Sequence, residues 1–220
     1  MTQRAKRPKL FLVDDHRMVL EGLRLALRKE YDIVGMTAMG AAVLEACREL
    51  RPDAVLLDLS LPDRSGLEVI ADLRTELPEI RVLIVTMHAD RIMAEASLQA
   101  GAYGFVPKDA GIEELKLALS QVLAGRRFIS DLIPRKVDHS AAAGLAPGLA
   151  RLTPRRRQIV RLLGEGKSTR EIAAELSLAP VTISFHRARI RDILGIESEW
   201  GLVRYAWIVR MSEKEAERRP

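Results

Sequence analysis

Residues 54–70, AVLLDLSLPDRSGLEVI, decide the fold of the first half of the chain. A short apolar run, Ala54–Leu57, stops at Asp58, and an amphipathic helical pattern starts near residue 66. A run this short and this apolar is typical of a strand in a parallel sheet that helices cover on both faces. The stretch therefore predicts a strand that delivers a carboxylate to one edge of a sheet, followed by a helix.

The same alternation occurs five times along the first half of the chain. The apolar runs are Leu10–Val13, Ile33–Met36, Ala54–Leu57, Val82–Val85 and Tyr103–Val106, and the helical patterns lie near residues 17–29, 41–50, 66–76, 91–99 and 112–124. Five repeats of strand and helix predict a doubly wound α/β domain with a five-stranded parallel, flavodoxin-like sheet. Ligands of such sheets bind at the carboxyl ends of the strands, so the residues that follow the runs form the candidate site.

Polar residues follow four of these runs, namely Asp14 with Asp15, Asp58, Thr86 and Lys108. Crowded carboxylates repel one another unless a cation neutralises them, and oxygen ligands without a histidine or thiolate cluster favour a hard ion such as Mg²⁺. A carboxylate beside Mg²⁺, a hydroxyl and an ammonium is suited to accept a phosphoryl group. Taken singly, each of these acids is also consistent with a turn or helix-cap role.

The segments LFLVDDH, AVLLDLSLPDRSGLEVI, VLIVTMH and GAYGFVPKD resemble the receiver domain of bacterial response regulators over residues 9–125. The resemblance implies that a sensor histidine kinase phosphorylates Asp58. It also implies roles for the other residues of the set: Asp15, Asp58 and the Ser60 carbonyl bind Mg²⁺, Asp14 assists through water, and Thr86 and Lys108 hold the acyl phosphate. Phe105 stands where receivers often carry a switch tyrosine, and simple core packing is the alternative for it.

Charge differs between the two halves of the chain. Residues 10–128 carry 14 Lys and Arg against 19 Asp and Glu, whereas residues 129–220 carry 17 against 11. A basic second half indicates a polyanionic partner for that half. Between the halves, a stretch rich in small residues and proline is typical of a flexible linker. The predicted organisation is a receiver at 8–127, a linker at 128–150, a helical domain at 151–212 and a charged, frayed tail at 213–220.

Three helices are predicted in the second half from their start signals. Thr153 caps a helix that has Pro154 at its first position, Ser168 and Glu171 form a capping box for the second helix, and Pro180 opens the third. A helix, a short turn and a helix on a basic background predict a helix-turn-helix domain for the major groove of DNA. Residues 151–196 resemble the LuxR-type helix-turn-helix of the NarL/FixJ class of response regulators, which implies a homodimer on double-stranded DNA.

The third helix carries most of the candidate DNA contacts. At 100° per residue, Phe185 lies opposite the inward Ile183 and Ile190, a position suited to thymine methyl groups, although packing on a neighbouring element is the alternative. Arg155 and Arg156 on the first helix are hypothesised to grip phosphate in place of the short side chains on the third, and a solvated basic face is the alternative. The full candidate set is Thr182, Ser184, Phe185, His186, Arg187, Arg189, Arg155 and Arg156.

The last apolar segment follows a helical spacing. Its inward residues would form either a dimer contact or part of the core of the domain itself; they are Leu202, Val203, Ala206 and Val209.

Composition narrows the function classes further. No apolar stretch approaches the ~18 residues of a membrane span, and the single Cys47 excludes an intramolecular disulfide and fits a reducing cytoplasm. We predict a phosphorylation-controlled transcription factor and not an enzyme. One alternative is a phosphatase acting through an aspartyl phosphate, but Ser60 stands where such enzymes place a second acid. The other is a DNA-binding protein whose receiver no longer switches.

Overall fold

The computed structural model describes residues 7–87, 89–134 and 148–218 of the chain. Strands and helices alternate in its N-terminal part: β1 (Lys9–Val13), α1 (Arg17–Leu27), β2 (Asp32–Thr37), α2 (Val43–Leu50), β3 (Ala54–Leu57), α3 (Gly66–Glu76), β4 (Arg81–Thr86), α4 (Arg91–Ala100), β5 (Gly104–Pro107), α5 (Ile112–Leu123) and β6 (Phe128–Ile129). The C-terminal part is helical: α6 (Pro154–Gly164), α7 (Thr169–Glu175), α8 (Pro180–Leu194) and α9 (Glu199–Arg218). Short 3-10 turns, Gly40–Ala42 and Leu149–Arg151, precede α2 and α6.

Two compact units make up the chain. The first contains the sheet with α1, α2, α3 and α5. The second contains the C-terminal helices together with α4, whose sequence lies inside the predicted receiver range. No helix of the described residues has both the length and the apolar composition that a bilayer crossing needs.

The sheet is parallel throughout, with the strand order β2-β1-β3-β4-β5-β6. The predicted α/β class and the five predicted strand–helix pairs are confirmed, but the predicted number of strands is wrong by one. Phe128 and Ile129 form the sixth strand beside Gly104 and Phe105 instead of starting a linker. A two-residue edge strand is too short to produce a periodic pattern, which explains why the sequence did not predict it. Residues 135–147 of the predicted linker lie outside the described residues.

Close packing of α5 against the sheet builds one side of the core. A Cβ atom at Gly104 would lie 2.6 Å from a methyl group of Leu83 and 2.9 Å from one of Val122, so only glycine lets the helix approach β5 this closely. The apolar cluster on this side is contributed by the central strands, α1, α5 and the segment after α1: Leu10, Leu12, Leu20, Leu27, Tyr31, Ala54, Leu56, Leu83, Val85, Val106, Leu115, Ala118, Leu119 and Val122.

The strand order fixes where a ligand can bind. β1 and β3 are neighbours in the sheet, while β2 lies on the other side of β1 and β4 on the other side of β3. The loops after β1 and β3 therefore lead away in opposite directions and leave a crevice between the carboxyl ends of these two strands. This topology predicts the site at the ends of β1 and β3.

The helices of the C-terminal domain start at the capping residues that the sequence predicts. The Thr153 hydroxyl accepts a hydrogen bond from the Arg156 N–H at 3.4 Å, and Ser168 with Glu171 forms a reciprocal capping box. Ala179 provides no side-chain cap for α8, as its apolar side chain predicts. Helix α9 extends into the predicted tail as far as Arg218.

Candidate functional site

Three carboxylates converge at the carboxyl ends of β1 and β3. One oxygen each from Asp14, Asp15 and Asp58 lies within 4.8 Å of the others, and a nitrogen of His16 belongs to the same group. Asp14 and Asp58 are only 2% and 3% exposed, whereas Asp15 reaches the surface. The strand ends therefore bring together the acids that the sequence singled out.

Lys108 completes this acidic pocket from the end of β5. Its Nζ lies 2.6 Å from Asp14 Oδ2 and 2.7 Å from Asp58 Oδ2. Burial alone would lower the pKa of this ammonium, but its hydrogen bonds to Asp14 and Asp58 and the charges of both raise the pKa above its usual value. Lys108 is thus held in its charged form between two buried carboxylates.

Thr86 and Phe105 lie on the neighbouring strands. Thr86 ends β4 with no exposed surface, and its carbonyl accepts a hydrogen bond from the Lys108 N–H at 2.9 Å. Phe105 is also fully buried, on β5 opposite Ile84. In this structure Phe105 is a core residue, which is the alternative that the sequence analysis left open.

The loop after β3 approaches the Asp58 backbone closely. A Cβ atom at Gly66 would lie 2.7 Å from the Asp58 carbonyl oxygen and 2.7 Å from Leu59 Cα, so α3 can begin here only with glycine. Ser65 caps the helix by accepting from the Leu67 N–H, and the Ser60 N–H lies 3.3 Å from Asp58 Oδ1. The loop that carries Ser60 is therefore closed against the acidic pocket.

His16 is the member of this pocket that the sequence analysis missed. Its Nδ1 lies 2.7 Å from Asp15 Oδ1 and 3.3 Å from Asp14 Oδ1, and its backbone N–H donates to Asp14 Oδ1. Its position directly after the paired acids is the signal that would have found it. The contact aligns the Asp14 carboxylate from the side opposite Lys108.

The charge and donor set of the pocket fit a hard divalent cation. Asp14, Asp15 and Asp58 supply three carboxylates against the single ammonium of Lys108, so two negative charges are uncompensated. Oxygen donors at this spacing are the ligands that Mg²⁺ prefers. The pocket can therefore hold such an ion next to a carboxylate, a hydroxyl-bearing residue and a lysine.

A second candidate surface lies on α8. Ile183 and Ile190 point into the core of the helical domain, as predicted, and Phe185 on the opposite side is 67% exposed. Ser184 and Arg189 are also exposed, whereas Thr182 and His186 are half-buried. An exposed aromatic ring on a helix with basic neighbours forms a surface suited to base edges and phosphates.

Arg187 does not belong to this surface, contrary to the prediction. It is 2% exposed, donates to the Thr169 hydroxyl at 2.6 Å and pairs with Glu199 at 2.8 Å. Its side chain thereby ties α8 to the first turns of α7 and α9. Sequence separation conceals this contact, because Glu199 lies twelve residues away in the next helix.

The two arginines predicted to grip phosphate differ in the structure. Arg155 donates to the Leu176 carbonyl at 2.7 Å and to Gln158, so it joins α6 to the end of α7. The Arg156 Nε and the His186 Nδ1 are buried without a hydrogen-bond partner among the described residues. Burial lowers the pKa of His186, and the charges of Arg156 and Arg155 lower it further. Of the two arginines, Arg156 is the better candidate for an anion contact.

The residues predicted as a dimer contact lie inside the protein. Leu202, Ala206 and Val209 belong to the core of the helical domain, and Val203 is buried as well. Leu202, Ala206 and Val209 therefore pack within their own domain, which is the alternative that the sequence left open. The core cluster comprises Leu152, Ile159, Val160, Leu162, Leu163, Ile172, Ala173, Leu176, Ile183, Ile190, Leu202, Ala206 and Val209.

Comparison with known families matches each half of the chain separately. Residues 10–120 match the family described as the response regulator receiver domain, and residues 150–206 match the bacterial regulatory proteins of the luxR family.

Whole-length relatives share both halves. The chain is 34% identical to the transcriptional regulatory protein MctR of Rhizobium johnstonii over 94% of this chain and 95% of that protein. It is 36% identical to the DNA-binding transcriptional activator DevR/DosR of Mycobacterium tuberculosis over 86% of this chain and 89% of that protein.

Solved structures are similar over the same span. RcsB of Salmonella enterica serovar Typhimurium, bound to the promoter P1flhDC in the presence of the phosphomimetic BeF3−, matches with a TM-score of 0.58 and 26% identity, covering 93% of this chain and all of that one. A structure of two RcsB dimers bound to two parallel DNAs matches with a TM-score of 0.56 and 25% identity, covering 93% of this chain and all of that one.

Proposed function

Because this chain belongs to the NarL/FixJ class of response regulators, in which a receiver domain precedes a LuxR-type DNA-binding domain, we propose that phosphorylation of Asp58 by a sensor histidine kinase controls its binding to DNA. The class consists of transcriptional regulators and not of enzymes. The observation that carries the proposal is the contact of Lys108 with both Asp14 and Asp58 in one buried pocket. Because its proposed target is DNA, we expect the protein to act in the cytoplasm.

In this proposal, Asp14, Asp15 and Asp58 with the Ser60 carbonyl hold Mg²⁺. When bound, the ion would offset the two uncompensated charges of the pocket and so reduce the repulsion that an incoming phosphoryl group meets. The protein itself fixes the acceptor: Asp58 follows a fully buried strand, and its two oxygens lie beside the Lys108 ammonium and the Ser60 N–H. The carboxylate therefore has a single orientation before any phosphodonor arrives.

The transfer step needs no further cofactor. An Asp58 oxygen attacks the phosphorus of a phosphohistidine on the kinase, the new O–P bond forms as the P–N bond breaks, and the imidazole leaves. Lys108 is already charged and within hydrogen-bond distance of Asp58, and it donates to the phosphoryl oxygens in the product. The Thr86 hydroxyl donates to the phosphoryl group as well. Phosphorylation thereby increases the negative charge at residue 58. This charge lies beside Lys108 and Thr86, which are joined to each other by a backbone hydrogen bond.

The DNA-binding surface of the proposal is the exposed side of α8. Phe185, Ser184 and Arg189 point away from the core, with Thr182 and His186 at the edges. Arg156 extends this surface onto α6. The chain acts as a homodimer, as the RcsB dimers on DNA suggest, through a face other than the core residues of α9.

Selection of bound duplexes from a random pool, with and without acetyl phosphate, tests the proposal. We expect enrichment of one sequence with two spaced half-sites, at higher affinity when the phosphodonor is present. Phe185→Ala should fold normally but select a weaker or altered sequence, because the ring is exposed. Equal affinity for the wild type and Asp58→Ala under both conditions would contradict the proposal and favour a receiver that no longer switches.

A further inference from the structure

Asp63 fastens the loop after β3 to the turn before α2. Its Oδ1 accepts a hydrogen bond from the Gly40 N–H at 2.8 Å, and its Oδ2 accepts one from the Ala41 N–H at 2.7 Å. Both oxygens of one carboxylate are thus engaged by consecutive backbone donors at the start of a 3-10 turn. Hydrogen bonds to an ionised acceptor are stronger than neutral ones, so this attachment is firm although Asp63 is exposed.

The two segments touch directly at this point. A Cβ atom at Gly40 would lie 2.7 Å from Arg64 Cγ and 3.0 Å from Leu61 Cδ1, on either side of Asp63. Glycine therefore gives the loop the room to sit against the turn. The absence of a side chain at residue 40 and the carboxylate at residue 63 serve the same contact.

The other end of the loop is held at the acidic pocket. Ser60 and Ser65 form an isolated antiparallel bridge that closes the base of the loop, and the Ser60 N–H points at Asp58. Arg64, next to Asp63, pairs with the buried Asp72 of α3 at 2.9 Å. The loop thus has a closed base beside Asp58 and an outer end that Asp63 anchors.

We propose that Asp63 is a positioning residue for the divalent cation of the receiver: by anchoring the loop, it keeps the Ser60 carbonyl directed at the ion. The inference rests on the proposed function, which assigns that carbonyl to the metal site. Asp63 itself does not touch the ion. Outer-shell partners of this kind typically contribute about tenfold or more to metal affinity.

The chain provides a matched control at the opposite end of the same strand. Asp53 precedes β3, is exposed like Asp63, and accepts a hydrogen bond from the Lys9 N–H at 2.7 Å. Asp63→Asn turns an amide donor toward one of the two backbone N–H groups that the carboxylate binds, whereas Asp53→Asn can keep its single hydrogen bond through the amide oxygen and loses only the charge. Both changes weaken a contact between a carboxylate and the backbone, but only Asp63 lies in the loop that carries Ser60.

The experiment is a calorimetric Mg²⁺ titration of the full-length wild type, Asp63→Asn, Asp63→Glu, Asp53→Asn and Asp15→Asn, with thermal unfolding of each. We expect Asp63→Asn to bind Mg²⁺ about tenfold more weakly than the wild type. Asp53→Asn, which also removes an exposed carboxylate bonded to a backbone N–H, should bind Mg²⁺ like the wild type, and Asp63→Glu, which keeps both acceptor oxygens, should recover part of the affinity.

Two outcomes would overturn the positioning role alone: wild-type affinity in Asp63→Asn, or an equal loss in Asp53→Asn, which would make the effect one of general stability. The metal site itself is tested separately. If the wild type binds no Mg²⁺, or Asp15→Asn binds it unchanged, the metal site of the proposed function fails and the role of Asp63 fails with it.

Discussion

The Lys108 ammonium lies 2.7 Å from Asp58 Oδ2, although fifty residues separate the two in sequence. Both groups are buried, and the same ammonium contacts Asp14 at 2.6 Å. Parallel strand order produces this contact, because β5 and β3 flank β4 and all three end at the same edge of the sheet. The relationship joins the residue that we propose as phosphoryl acceptor to the cation that would hold its product.

Removing the charge of Lys108 is expected to destabilise the protein in the absence of Mg²⁺. Lys108→Met leaves Asp14 and Asp58 buried side by side without their cation, a change that costs about 3 kcal/mol of unfolding free energy. Mg²⁺ should bind this variant more tightly than the wild type, since the ammonium no longer competes for the carboxylates. Urea unfolding with and without saturating Mg²⁺ measures both effects.

Lys116→Met is the control for that measurement. Lys116 also pairs with a carboxylate, that of Glu30 at 2.7 Å, but at the surface. The stability of this variant should show the same Mg²⁺ dependence as the wild type. A Lys108→Met variant that also responds to Mg²⁺ as the wild type does would contradict the pocket that we describe.

The buried Arg187 and the exposed Arg189 should separate stability from DNA affinity. Arg187→Met removes the hydrogen bonds that this buried side chain donates to Thr169 and Glu199 and is expected to cost about 2 kcal/mol of unfolding free energy. Arg189→Met should change stability by less than about 0.5 kcal/mol while weakening DNA binding and lowering its salt dependence. Denaturant unfolding and DNA titration at several salt concentrations test the pair. A stable Arg187→Met with a selective loss of DNA affinity would restore the original sequence prediction for that residue.

His186 is expected to make DNA binding depend on pH. Burial and the charges of Arg156 and Arg155 lower its pKa, so the ring is neutral in the free protein at neutral pH. The cations of α8 itself, Arg187, Arg189 and Arg191, are each paired with a carboxylate. A DNA phosphate at Arg156 would offset the positive charges, raise the pKa of His186 and draw a proton onto the ring. Affinity should therefore increase as the pH falls below about 6.5.

A fall in pH should have the opposite effect on the stability of the free protein: it should lower that stability. Because the pKa of His186 is lower folded than unfolded, its contribution to stability is present above about pH 6.5 and is lost as the pH falls through the lowered value. DNA titrations and thermal unfolding between pH 5.5 and 8 measure both trends, with His186→Gln in parallel. An unchanged pH dependence of DNA affinity in His186→Gln would show that protonation of this ring does not accompany DNA binding.

The sequence predicted most of the receiver because its signals are local and repeated. Apolar runs of four residues mark the central strands, and the polar residue after each run lands at the same edge once the strands are parallel. The two-residue strand β6 was not predicted, because only its pairing with β5 defines it and two residues are too few to form a sequence pattern. His16 was not predicted for another reason: it lies one residue beyond the acids that follow β1, and only its place beside Asp14 and Asp15 marks it as a member of the pocket.

The helical domain shows where periodicity is insufficient. Helix limits follow from caps, and the sequence located Thr153, Ser168 and Pro180 correctly. Periodicity also placed Phe185 outside. It did not reveal that Arg187 is buried, because a basic residue predicts a surface position unless its partner is known. Nor does an apolar stripe distinguish a core from a dimer face, which is why Leu202 was predicted as a contact between copies.

Phosphoryl incorporation from acetyl phosphate, followed by mapping of the modified residue by mass spectrometry, tests the central claim most directly. We predict one phosphoryl group per chain, on Asp58, formed only when Mg²⁺ is present, and none in Asp58→Asn. Labelling of Asp58→Asn to the same extent as the wild type, or labelling that persists after chelation of Mg²⁺, would contradict the account.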